Sequence, residues 1–184
     1  MQITVIRSNR KTMALELGPG GLIVRAPRYA SDFEIEAFLR QHRRWIEKHA
    51  ARLAAREAAA AQVPKLTVQE LDALAERARH VFAERAAYYA PLVGVEYGRI
   101  TVRAQHTRWG SCSAKGNLSF NCLLLLAPPA VLDSVVVHEL CHRLEMNHSP
   151  RFYREVLRVL PDYREQHGWL KEHGRSLLAR LPET

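Results

Sequence analysis

The chain has only three cysteines in 184 residues, Cys112, Cys122 and Cys141. The number is odd and no pair is spaced as CxxC, which excludes a disulfide framework and fits a reducing compartment. Long hydrophobic runs are missing too. The longest purely apolar stretch, CLLLLAPPAVL at 122–132, is too short to cross a bilayer and is interrupted by two prolines. The opening stretch, MQITVIRSNRK, lacks the apolar core of a signal peptide. A cytoplasmic protein with no membrane partner is therefore expected. There is no internal repeat, and no zinc finger or similar nucleic-acid reader.

What is present suits a globular protein. Hydrophobic residues make up 47% and charged residues 25%, enough for a core of ordinary size. The formal charge is +8, much of it in RQHRRWIEKHAARLAAR at 40–56. Its plain reading is a solvated helix face. Its functional reading is a patch for a nucleotide, nucleic acid or anionic lipid.

Residues 2–7, 13–17 and 22–26 are β-rich, with GPGG between the last two, and predict a small antiparallel meander. A helical signal follows from Ser31 or Asp32 to about Ala61, broken near Gln41. Phe33, Phe38, Trp45, Ile46 and Leu53 are expected on its buried side. The shift at 62–66 places a boundary between an N-terminal region, 1–61, and a second region, 62–184, together forming one compact unit. Thr67 and Glu70 read as a capping box opening a helix to about Tyr89, ended by Pro91 and Gly94. Its expected face is Leu71, Leu74, Ala78, Val81, Phe82 and Ala86. Strands are predicted at 99–104 and 118–125, separated by a long turn. An apolar helix should then run through AVLDSVVVHELCHRLEM, closed by a left-handed Asn147. Ser149-Pro150 starts another helix, and Pro161 a last one to about Leu178.

Residues 138–148 read HELCHRLEMNH. Residues four apart lie on one helix face, so His138 and His142 can aim imidazole nitrogens at one point. Glu139 lies about 100° further round, able to approach a water there without ligating. This is the mechanical content of HExxH. A catalytic zinc takes three protein ligands plus water. His148, just past the expected helix end, is the preferred third ligand; Glu145 and Cys141 are the alternatives. Three ionisable residues placed directly after SVVV would be costly to bury unpaired, and a metal removes that cost. Glu139 is the candidate general base. Arg108 and Tyr153 are candidates for a further oxyanion or substrate contact. Their plain readings are a structural arginine and a core aromatic packed with Phe152. In RWGSCS at 108–113, Gly110 suits a tight turn and Trp109 offers a packing surface.

From RWGSCSAKGNLSFNCLLLL through HELCHRLEMNH to YREQHGWLK, and in the leader VIRSNRKTMALEL, the chain closely resembles the YgjP-like metallopeptidases. SprT-like and WLM-type zinc proteases are related. The resemblance implies Zn2+ held by His138, His142 and His148, Glu139 as base, and a peptide or protein substrate. It also implies an α+β, zincin-like helical catalytic domain with a small antiparallel sheet beside it. The strand at 118–121 is expected to form the cleft rim, where an extended peptide adds as another strand. Two other readings use the same residues. One is a metal-dependent nucleotide pyrophosphatase of the UTP type, and the other a nucleic-acid-associated module with structural zinc.

Overall fold

The computed structural model describes residues 2–18 and 20–182. The chain divides into two compact units, Met1–Ala59 and Ala60–Thr184. The architecture is α+β, with six α-helices and two three-stranded sheets among the described residues.

The first unit holds β1 (Ile3–Ser8), β2 (Ala14–Gly18) and β3 (Gly21–Pro27), then α1 (Asp32–Gln41) and α2 (Arg43–Ala61). The expected antiparallel meander is instead a mixed sheet in the order β1-β3-β2, with β1 parallel to β3. The reason is apolar content. Leu22, Val24 and Ala26 on β3 are buried, whereas every residue of β1 is exposed, so β3 takes the middle. Pro19, in the expected GPGG turn, lies outside the described residues. Ser31 and Glu34 form a capping box at the start of α1, and the expected break falls at His42. Phe33 and Trp45, expected inside, are exposed. Ile46 is buried as expected, and Ile35 is buried in place of Phe33, because Ile35 and the half-buried Leu39, four apart, define the inner face of α1.

The second unit opens with α3 (Val68–Val93), capped by the Thr67–Glu70 box and closed by Gly94 at φ 83°. Pro91, expected to end this helix, sits inside its last turn. A second mixed sheet follows, from β4 (Ile100–Arg103), β5 (Gly110–Cys112) and β6 (Leu118–Asn121), in the order β4-β6-β5. The long turn expected at 106–117 therefore contains a strand. The strand expected to reach 125 stops at Asn121, whose side chain accepts from the Leu123 amide at 3.2 Å and turns the chain into a 3-10 segment. Because β6 is central, it cannot take on another strand; β5 is the sheet edge on that side.

α4 (Pro129–Cys141) is buried almost all round and runs through the core, with α3, α5 (Pro150–Val159) and α6 (Tyr163–Leu178) packed on it. Phe82 on α3 stacks on Phe120 of β6 with ring centroids 4.4 Å apart. Arg85 on α3 grips Asp133 on α4 with two bonds of 2.6 Å, and the Tyr89 hydroxyl donates to the same carboxylate. α4 ends earlier than expected. His142 is its C-cap, with Arg143 and Leu144 amides closing back onto Leu140 and Cys141 carbonyls. No described non-glycine residue has positive φ, so Asn147 is not left-handed.

Candidate metal centre

His142 caps α4 with φ −64° and ψ −13°, still helical values. It therefore stays one turn above His138, as the local spacing requires. The short turn after it carries His148 back over the same face. One ligand atom from each of the three histidines lies within 4.8 Å of the others. The Nε2 atoms of His138 and His148 are 3.0 Å apart. Tetrahedral bonds of zinc length put nitrogens roughly 3.3–3.4 Å apart, so the set is close to what a metal needs.

The chemistry of the donors fits as well. His142 Nδ1–H donates to the Glu145 carbonyl at 3.0 Å, which leaves its Nε2 as the free lone pair. His138 Nδ1 meets the Tyr163 hydroxyl at 2.8 Å, again leaving Nε2 for the centre. The His138 pKa is pushed down to about 3, chiefly by burial and then by His142, His148 and His167. It is neutral at ordinary pH, the form that binds a cation. Phe152, fully buried, lies beneath all three rings with centroids 4.6 to 4.9 Å away. It fixes the imidazoles from the side opposite solvent.

The alternative ligands point elsewhere. The Glu145 carboxylate pairs with Arg151 at 3.1 Å, so Glu145 supports the site through its carbonyl. Cys141 is fully buried, and its thiol is pushed up to about 12 by burial first and Glu155 second.

Glu139 is 5% exposed. The other polar side chains buried on α4 are satisfied, Asp133 by Arg85 and Tyr89, and Ser134 by the Val131 carbonyl at 2.7 Å. Among the described residues the Glu139 carboxyl has no hydrogen-bond partner, and burial raises its pKa to about 8, against the opposing charge of Arg108. It lies against Gly110 of β5. A Cβ on Gly110 would fall 2.6 Å from Glu139 Oε1. Gly110 is thus needed for close approach inside a strand, not for the tight turn expected of it.

A cavity of about 160 Å3 opens beside this carboxyl. Ser134, Val135, His138 and Glu139 of α4 form one wall, and Tyr163, His167 and Leu170 of α6 the facing one. Trp109 and Gly110 close the side. Trp109 both packs and lines the cavity. The loop that carries it is held by Asn121, fully buried, whose Nδ2 donates to the Gln105 and Arg108 carbonyls at 2.7 and 3.2 Å. Arg108 is exposed at the end of this loop, and Tyr153 is 39% exposed with its ring 6.2 Å from His148. Sequence reasoning missed Asn121, Phe152, Tyr163 and His167. The spacing of Tyr163, His167 and Leu170 along one helix face was the available signal.

Two histidines on a buried helix, a third on the turn after it and an unpartnered carboxyl between them define a metal-binding site of the HExxH kind in an α+β fold. The chain belongs to the YgjP-like metallopeptidase domain family, whose sequence model matches residues 11–72 and 65–173. No curated protein matches it. Among solved structures it is similar to the metallopeptidase zymogen abylysin of Pyrococcus abyssi, with 20% identity and a TM-score of 0.46, over 51% of this chain and 96% of that one.

Proposed function

We propose that the protein is a zinc-dependent peptidase in which His138, His142 and His148 hold the metal and Glu139 is the general base. The observation that carries this reading is the Glu139 carboxyl. It is buried and unpartnered, and it shares a cavity with His138. With no protein partner, the carboxyl is free to meet a water or substrate in that cavity.

Zinc held by the three Nε2 atoms would supply Lewis acidity, activating a water and polarising the scissile carbonyl. Glu139 takes the proton of the attacking water on its carboxylate and passes it to the leaving amine. Gly110 lets that carboxylate lie against β5, so the base sits at the sheet edge. An extended peptide can pair with β5 there, which brings its backbone past Glu139. This replaces β6, which the sheet order makes unavailable. Arg108, whose charge acts on Glu139, and Tyr153, whose ring is 6.2 Å from that of His148, are the proposed further contacts to substrate or developing oxyanion.

The deciding experiment measures bound metal, then turnover by wild type and Glu139→Gln on a peptide library and a nucleotide panel. Wild type should cleave peptides and Glu139→Gln should lose about 10³-fold or more while retaining the metal. Turnover of nucleoside triphosphates but no peptide would refute the peptidase reading. Full activity in Glu139→Gln would refute the role of the base.

A further inference from the structure

We propose that the cavity between α4 and α6 is a specificity pocket that receives one apolar side chain of the substrate, aliphatic or a single ring, from a residue flanking the cleaved bond. The inference rests on the peptidase reading above and adds what the enzyme selects. The cavity is continuous with the site, because Glu139 and His138 line it. Whatever enters it is therefore attached to the substrate segment at the reacting bond.

The walls decide the chemistry. Val135 and Leu170 face each other across the cavity and are 8% and 7% exposed. Ser134 offers no free proton, since its hydroxyl already donates to Val131. The one carboxyl lining it is Glu139, engaged in the reaction, so a cationic side chain would enter without a free counter-charge. The size follows from the volume. An apolar cavity of roughly 150 Å3 holds a benzene ring, and this one is about 160 Å3. The pocket is also preformed. The Trp109 indole is wedged on α6 so tightly that a Cβ on Gly174 would fall 2.9 Å from its Cζ2. α6 therefore backs this wall of the pocket.

The test uses the zinc-loaded full chain and peptides that differ only at the residues flanking the cleaved bond, bearing Ala, Leu, Phe, Trp, Asp or Lys. At one of those positions, wild type should prefer Leu and Phe over Ala, Asp and Lys by about tenfold or more in kcat/KM. Leu170→Ala should enlarge the pocket and raise Trp relative to Leu by about tenfold. Val135→Phe should fill it and reverse the Leu-to-Ala preference. These opposite shifts in a ratio separate a pocket effect from general loss of folding. In parallel, toluene is titrated while the methyl resonances of Leu170 are followed. Saturable shifts are expected in wild type and none in the Val135→Phe variant. Peptide cleavage with no side-chain preference and no toluene-induced shifts overturns the pocket and leaves the peptidase reading intact. Saturable toluene binding without cleavage of any peptide overturns the peptidase reading and leaves an apolar pocket.

Discussion

Gly110 and Glu139 occupy one space, and a methyl group would contest it. Gly110→Ala places a Cβ 2.6 Å from Oε1 and 2.7 Å from Cγ of Glu139, so the carboxylate must swing away. Overpacking of this kind costs about 1–3 kcal/mol. We expect a fall of at least tenfold in kcat with bound metal unchanged. Equal kcat in the two proteins would show that the base does not use this approach. Tyr163 acts on the metal rather than on the substrate. Its hydroxyl fixes His138 from the far side of the ring at 2.8 Å. Tyr163→Phe keeps the packed ring and removes that bond. Zinc affinity should fall about 10- to 100-fold, while the metal-free protein loses only about 1 kcal/mol. A competition titration against a chelator reads the first and thermal unfolding the second. Affinity equal to wild type would mean that Tyr163 only packs. Neither residue's role is visible in the local sequence. Gly110 and Glu139 are far apart in the chain, as are His138 and Tyr163.

Among the elements, α4 depends most on its neighbours, since it is buried almost all round and carries the site near its end. Three ties hold it: the Arg85–Asp133 pair to α3, Phe152 under the histidines from α5, and the Tyr163 hydroxyl from α6. The pair of Arg85 with Asp133 is the one to test for stability. The aspartate is 9% exposed, and its two bonds hold the arginine pKa above the usual range. Asp133→Ala leaves the partly exposed guanidinium without its partner, at a cost of about 2–3 kcal/mol. Urea unfolding should show the midpoint falling with an unchanged slope. A loss below about 0.5 kcal/mol would mean that the pair adds little to the α3–α4 packing. The helix start at Ser31 or Asp32, the capping box at Thr67, the serine-proline start of α5 and the buried face of α3 were legible because each depends on residues at most four apart. The parallel pairing of β1 with β3, the short β5 and the end of β6 were not. Strand order depends on which segment is most apolar among several, and β6 is cut short by the side chain of its own last residue, Asn121.

At the scale of the whole molecule, the site belongs entirely to residues 60–184. Every residue of the larger core cluster lies between Leu66 and Leu181, and so do the three histidines and the cavity. We propose that this segment folds and binds metal by itself, as an independent domain. The expressed segment 60–184 should unfold in one cooperative transition and take up one zinc per chain. Loss of near-UV dichroism with retained helix content would show that it needs residues 1–59. No described helix is long and apolar enough to cross a membrane, in line with the short apolar runs. By itself the sequence determined that two histidines share one helix face with a glutamate beside them, that a third follows within reach, and where most helices begin. Those are consequences of a 3.6-residue period and of short-range hydrogen bonding. Only the tertiary structure decided that His148 meets His138, that Phe152 and Tyr163 brace the rings, that Gly110 admits the carboxylate and that α4 and α6 enclose a cavity. Each of these is a contact between segments whose meeting depends on how the entire core packs.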